Sequence, residues 1–257
     1  MTQDEAKRLV AKRAAELVRD GQAVGLGTGT TATLFIRELA ARKLKIRCVT
    51  SSDASHELAA SLGMDVVTLK ELPELDVYID GADEVAVRAG SGNGPGCGLD
   101  LIKGGGGALL REKIVASAAR EFIVVADSTK LVETLGKFPL PVEVIKMALP
   151  LVEPKLAGLG LNPKLRMKKG KSYGIKPLVL TAPGATAEAL GYAAASEPFI
   201  TDEGNYILDC ACGRIEEPEV TAAEIRGIVG VVEHGLFLGY ATLALVAGDD
   251  GVREFRA

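Results

Sequence analysis

Twice within residues 23–62 a short apolar run stops at a turn of glycine and hydroxyl residues, and helical spacing follows. The first unit is a strand at 23–26, the turn Gly27-Thr28-Gly29-Thr30-Thr31 and a helix at 32–41; the second is a strand at 46–50, Ser51-Ser52-Asp53 as turn and N-cap, and a helix at 54–62 ended by Gly63. Strands separated by helices pair in parallel through crossovers, so the chain is expected to form an α/β fold with a doubly wound, largely parallel sheet. Further strands are expected at 65–69, 77–80 and 122–127, with a helix at 108–119. Ahead of them, Thr2-Gln3-Asp4-Glu5 has capping-box spacing, and Leu9, Ala14, Leu17 and Val18 share one side of an amphipathic helix stopped by Gly21.

The texture changes after Phe138-Pro139-Leu140-Pro141. A strand at 142–145, a helix at 149–159, a basic Gly/Pro-containing stretch at 164–177 and a hairpin at 200–210 turning through Asp202-Glu203-Gly204-Asn205 describe a smaller α+β (ferredoxin-like) domain. It is expected over 139–234, inserted into an α/β catalytic domain made of 1–138 and 235–257. The Ala/Gly-rich piece 181–196 gives no clear element. A chain of 257 residues holds both units, and with 47% hydrophobic but only 4% aromatic residues its core must be built from Val, Leu, Ile and Ala.

A net charge of −4 offers no general attraction to polyanions, so nucleic acid is not an expected partner and any anion must be held by a local site. Cys48, Cys97, Cys210 and Cys212 form no C-x-x-C pair, and with His56 and His234 they fit no metal-ligand spacing, so reduced thiols and no metal are expected. The charged N-terminal segment lacks a secretory apolar core, and the longest uncharged run, 235–248, is shorter than the roughly 20 apolar residues of a membrane span. The expectation is a soluble cytoplasmic protein with no membrane partner.

Chemistry concentrates in three places. The turn at 27–31 lies between a strand and a helix, where exposed amides, the helix dipole and threonine hydroxyls suit a phosphate. It also reads as G-x-G-x-x-A with Asp53 roughly 20 residues on, which keeps dinucleotide binding open, although Asp53 sits in a helix cap and not at a strand end. No Gly-Lys-[Ser/Thr] closes a Walker loop. Asp80-Gly81-Ala82-Asp83-Glu84 falls at the carboxyl end of a strand, and its crowded charges need cations or substrate hydroxyls to offset them. Lys103-Gly104-Gly105-Gly106-Gly107 lets backbone approach a ligand ahead of a helix that carries Glu112, a residue otherwise expected to be solvated. Paired carboxylates, a lysine and bare backbone favour proton transfer on a small phosphorylated metabolite.

The segments GTGTTA, SSDAS, DGADEV, IKGGGGALLREKI, VADSTK and GKFPLPVEV, in this order, resemble the ribose-5-phosphate isomerase type A family; TDEGNYILD and GLFLG agree more loosely. The resemblance implies an aldose-ketose isomerase acting on ribose 5-phosphate and ribulose 5-phosphate in the pentose phosphate pathway, with no cofactor. It makes Glu112 the base that moves a proton between C2 and C1 through an enediolate, gives the sugar hydroxyls and ring opening to Asp80 and Asp83, and sets Lys103 against the developing oxyanion. Substrate would be held by Thr28, Gly29, Thr30, Thr31, Gly81, Ala82, Gly104, Gly105, Gly106 and Lys130, with Lys7 as a helper. A homodimer or homotetramer is implied, with segments 85–100 and 168–199 longer than in compact members. The rivals are a related sugar-phosphate isomerase or deaminase on the same scaffold, and a sugar-phosphate-sensing module; no DNA-binding helix pair or basic arm precedes Gly21.

Overall fold

The computed structural model describes residues 1–88, 98–168 and 197–257. α1 (Gln3–Leu17) starts with its capping box closed: the Glu5 amide donates to Thr2 Oγ1 at 3.3 Å and the Thr2 amide to the Glu5 carboxylate at 2.7 Å. The two strand-turn-helix units follow as β1 (Ala23–Leu26) with α2 (Thr30–Ala41) and β2 (Arg47–Thr50) with α3 (Asp53–Ser61). Next come β3 (Asp65–Val66), β4 (Leu75–Gly81), β5 (Glu84–Arg88), β6 (Gly98–Ile102), α4 (Leu109–Ser117), β7 (Ala119–Asp127) and β8 (Leu131–Val132). Then β9 (Leu140–Val144), α5 (Leu149–Gly158), β10 (Pro163–Leu165), β11 (Tyr206–Cys210), α6 (Pro218–Arg226) and β12 (Val231–His234) lead to the closing strands β13 (Leu236–Leu238), β14 (Leu243–Gly248) and β15 (Gly251–Arg256).

Seven strands form the main sheet in the order β15-β14-β7-β4-β1-β2-β3, parallel throughout apart from the β14/β15 hairpin. Strands covered on both faces are predominantly apolar, which is why β1 and β14 read as continuous hydrophobic runs and β4 as one interrupted by Asp76 and Asp80. On one face α1, α2 and α3 pack Val10, Ala14, Phe35 and Ile36 onto Val24, Ile79, Ile123 and Leu245. The opposite face is covered by α4 and by a second sheet, β13-β6-β5-β8, which sets Val85, Leu101 and Phe237 against Tyr78, Phe122 and Ala244.

That second sheet is absent from the sequence reading. β6 pairs antiparallel with β5, Glu84 opposite Ile102, and with β13, Leu236 opposite Ile102, so the closing segment returns to complete it. β9 to β12 form a third sheet, ordered β10-β11-β9-β12 with all neighbours antiparallel, and α5 and α6 complete the β-α-β-β-α-β ferredoxin-like pattern. Its core of Val142, Val144, Val152, Leu156 and Leu208 runs on into Ile102 and Leu236 of the second sheet.

The expected hairpin at 200–210 is corrected. A turn closes between Thr201 and Asn205, with the Thr201 amide donating to Asn205 O at 3.0 Å, but β11 pairs with β9 and β10 instead of with the residues before the turn. Buried Glu143 anchors the turn, accepting from Thr201 Oγ1 at 2.9 Å and Asn205 Nδ2 at 3.0 Å. The expected strand at 65–69 shrinks to two residues, because the Thr68 amide and hydroxyl both donate to Glu71 and start a turn. The glycine-rich piece 90–96 and the piece 181–196 lie outside the described residues. What positions the site is the carboxyl edge of the main sheet, where β1 and β4 end side by side with Leu26 opposite Ile79.

Candidate active site

The turn after β1 and the end of β4 meet at Gly27 and Asp80. A Cβ on Gly27 would stand 2.1 Å from Asp80 Oδ1, so only glycine permits this approach. Asp80 is fully buried and all of its acceptor capacity is engaged within the protein: Oδ1 accepts from the amides of Thr28 at 2.8 Å and Gly81 at 2.7 Å, and Oδ2 accepts from Lys103 Nζ at 2.8 Å and from the Tyr78 hydroxyl. A buried carboxylate is tolerable only when satisfied in this way.

Lys103 carries the arrangement onward. Its Nζ also donates to Gly81 O at 2.5 Å and stands 3.5 Å from Glu112 Oε1. Burial pulls the pKa of this ammonium down, but the Asp80 and Glu112 carboxylates outweigh burial and leave it above its ordinary value.

Glu112 lies in the first turn of α4, yet it is 4% exposed, because that face of the helix is pressed onto the sheet ends. The expected solvated carboxylate is not found, and the neighbouring Lys113 is buried as well, its Nζ donating to His234 O at 2.7 Å and Leu236 O at 2.9 Å. Burial pushes the Glu112 carboxyl up to about 8, with Lys103 opposing and Asp80 and Asp83 adding to the rise. Its Oε2 is buried and has no hydrogen-bond partner among the described residues.

Asp83 faces the tetraglycine run, accepting from the Gly105 amide at 2.7 Å. On the other side, α2 begins behind Gly29 (φ +100°) with no side-chain cap and no acid in its first turn, whereas Thr2 and Ser52 cap α1 and α3. The first amides of α2 are therefore left for an anion. The Thr28 hydroxyl is not an extra donor there; it is taken up by Ser51 Oγ and Ser52 Oγ, both at 2.8 Å. Of the acidic cluster, Glu84 is structural, holding the Gly136 amide at 2.7 Å and the Phe138 amide at 2.5 Å.

One cavity of about 130 Å³ joins these parts. Thr28 to Thr31, Gly81 to Asp83, Lys103, Gly104, Gly106 and Glu112 line it, with Lys7 from α1 and Lys130 at its border. Asp80 and Gly105 do not reach it: Asp80 lies behind Lys103, and Gly105 is turned to Asp83. Larger cavities of about 670 Å³ near Lys43 and about 1000 Å³ near Phe199 contain neither Glu112, Asp83 nor Lys103.

The family model for ribose 5-phosphate isomerase A (phosphoriboisomerase A) matches residues 47–251. The chain belongs to this family. It is 44% identical to the ribose-5-phosphate isomerase A of Roseiflexus castenholzii over 254 residues, covering 96% of this chain and 94% of that one. The solved ribose 5-phosphate isomerase A of Methanocaldococcus jannaschii superposes with a TM-score of 0.82 at 36% identity over 100% of both chains. A D-ribose-5-phosphate isomerase in complex with phospho-erythronic acid gives 0.83 at 32% identity, also over 100% of both. A DeoR C terminal sensor domain model matches residues 2–69.

Within this ribose-5-phosphate isomerase A family member, Asp53 makes no dinucleotide site. It is exposed and takes an ion pair from Arg111 at 2.6 Å. Cys48, Cys210 and Cys212 are free, and no group of three or more metal-ligating side chains occurs among the described residues. No helix there is long and apolar enough to cross a membrane. Sequence reasoning missed Tyr78, the serine cluster around Thr28, and Arg166, which reaches the tetraglycine carbonyls. Nothing local marks Tyr78 or Arg166; Ser51-Ser52 was legible only as a cap.

Proposed function

We propose that the protein interconverts ribose 5-phosphate and ribulose 5-phosphate through an enediolate, with Glu112 as the general base. The observation that carries this is a buried carboxyl whose Oε2 has no partner among the described residues, lining one cavity with an uncapped helix N-terminus and three lysines. Phosphate is held by the first amides of α2, by Gly29, Thr30 and Thr31, and by Lys7 and Lys130. At the other end, Asp83 Oδ1 takes a sugar hydroxyl and assists ring opening.

Proton abstraction from C2 then puts negative charge on the carbonyl oxygen at C1. A donor preorganised for such charge is worth about 2.7–4 kcal/mol, and Lys103 fills that place, with Asp80 acting through it. As the O2 hydroxyl proton passes to O1, Glu112 returns the abstracted proton to C1 to give the ketose. A carboxyl raised toward neutrality accepts and releases a proton with little penalty at each step. Phospho-erythronic acid, bound by the solved relative, carries its carboxylate where the enediolate carries its oxygens, which suits it as a probe.

A coupled assay on ribose 5-phosphate tests this, with Glu112→Gln expected to bind phosphate and lose nearly all turnover. Wild-type kinetics in that variant would remove Glu112 as the base. The sensing alternative is weaker, since the sensor-domain match at 2–69 covers the anion-binding turn and none of Asp80, Asp83, Lys103 or Glu112. For assembly, we propose that the 139–234 unit supplies the contact in a homodimer or homotetramer, using an exposed apolar area of Met147, Leu151 and Val229. Light scattering at a monomer mass would reject it.

A further inference from the structure

We infer that Arg166 is a positioning residue that sets the direction of the Gly105–Gly106 peptide, so that the Gly106 N–H faces the substrate cavity as a donor. The inference rests on the isomerase reading of that cavity. Arg166 follows β10 and is itself pinned, its amide donating to Ile207 O at 2.8 Å and its carbonyl accepting from the Phe199 amide at 2.9 Å. Its side chain is 13% exposed. Nε donates to Asp209 Oδ2 at 2.9 Å and Nη2 to Oδ1, so the guanidinium is gripped on two sides by Asp209. The remaining Nη1 donates to Gly104 O at 2.9 Å and Gly105 O at 3.3 Å. Arg166 does not line the catalytic cavity; it acts from the far side of the glycine run.

In a planar trans peptide the C=O and N–H point in opposite directions. With Gly104 O held by Arg166, the Gly105 N–H must point away, and it does, reaching Asp83 Oδ2 at 2.7 Å. The same rule applied one residue on, with Gly105 O held by Arg166, sends the Gly106 N–H away from Arg166. Gly106 lines the substrate cavity there, and its N–H has no acceptor among the described residues.

Such a direction is not self-maintaining. Without a Cβ a glycine peptide can turn over at little cost, and Gly104 and Gly107 already hold φ of +103° and +91°. Turned over, the Gly105–Gly106 peptide would present a carbonyl to the developing oxyanion. Packing supports one side of the run, since Phe199 Cζ lies 2.4 Å from where a Gly107 Cβ would be. Gly104 O also accepts from the Gly107 amide at 2.9 Å, a turn bond that survives rotation of the central peptide, so it is the Gly105–Gly106 peptide whose direction the Arg166 bond to Gly105 O chooses; a forked guanidinium can span both carbonyls where an ammonium cannot.

The test uses the full chain with Arg166→Met, Arg166→Lys and Arg166→Ala. Loss of one oxyanion donor predicts a kcat lower by roughly 100-fold in Arg166→Met with KM changed by less than about threefold, and little recovery in Arg166→Lys. Guanidinium chloride at tens of millimolar, entering from the open groove beside Phe199, should raise Arg166→Ala by about tenfold or more and leave wild type unchanged. A simple loss of stability would respond in the opposite sense, since guanidinium denatures. Wild-type kcat in Arg166→Met, or no rescue of Arg166→Ala, overturns the inference. Amide exchange decides it independently of turnover: phospho-erythronic acid should slow exchange of the Gly106 amide by about tenfold or more in wild type and not in Arg166→Met, and equal slowing in both overturns it. A wild type inactive on ribose 5-phosphate would instead count against the isomerase reading, with amide exchange still deciding the peptide direction.

Discussion

Replacing Glu112 by Gln should inactivate the protein and at the same time stabilise it, by an amount that grows with pH. In the unfolded chain the Glu112 carboxyl titrates near its ordinary 4.5, whereas in the fold burial raises it to about 8. Stability from such a raised group is fully present below pH 4.5. It is lost as pH climbs toward 8, because the unfolded state gives up the proton first. At pH 7 the loss is 2.5 pH steps at about 1.36 kcal/mol each, or about 3 kcal/mol. Gln cannot ionise and escapes that loss, so Glu112→Gln should match wild type near pH 4.5 and exceed it by about 3 kcal/mol at pH 7, which is a Tm gap of about 10 °C for a chain of this size. Thermal unfolding of both proteins from pH 5 to 8 reads the gap directly, and most other titrating groups cancel in the difference. A gap that stays constant across this range would refute the buried, raised carboxyl. The same titration sets the sign for activity: kcat/KM of wild type should climb about tenfold per pH unit below 8, since the base must be ionised.

Gly27→Ala places a methyl 2.1 Å from Asp80 Oδ1, so Asp80 must move; a loss of about 1–3 kcal/mol in stability and collapse of kcat are expected, read by denaturant unfolding and the coupled assay. Lys103→Met removes the cation at 2.8 Å from a fully buried Asp80, and leaving that charge unpaired should cost about 3–5 kcal/mol in urea unfolding, far more than a surface lysine would. Lys7→Ala and Lys130→Ala should each raise KM about two- to fivefold with kcat nearly kept, as partly exposed charges contribute about 0.2–1 kcal/mol; competition by inorganic phosphate should weaken in parallel, and an unchanged KM in both would remove them from the anion site.

The strand-turn-helix units, the capping box at Thr2 and the glycine-threonine turn at 27–31 were legible because each is a pattern within a short continuous stretch of chain. So were Asp83, Lys103 and Glu112 as chemistry-bearing types. Their roles were not equally legible. Asp80 and Asp83 look alike in Asp80-Gly81-Ala82-Asp83, yet one is buried behind Lys103 with four donors while the other lines the cavity. Glu84 belongs to the same run and serves only to tie down the amides of Gly136 and Phe138. The β13 edge of the second sheet and the seat of the 201–205 turn on Glu143 depend on pairings between distant segments, so no local periodicity could announce them.

Local sequence, then, determined the parallel α/β architecture and the parts of the proposed site, because backbone preference and side-chain chemistry act over short stretches. Tertiary structure alone decided which carboxylate is free to react. The sheet ends that bury Glu112 and the Asp80 and Asp83 charges beside it come from segments far from α4, and they turn it from a helix-surface acid into a desolvated carboxyl with a raised pKa.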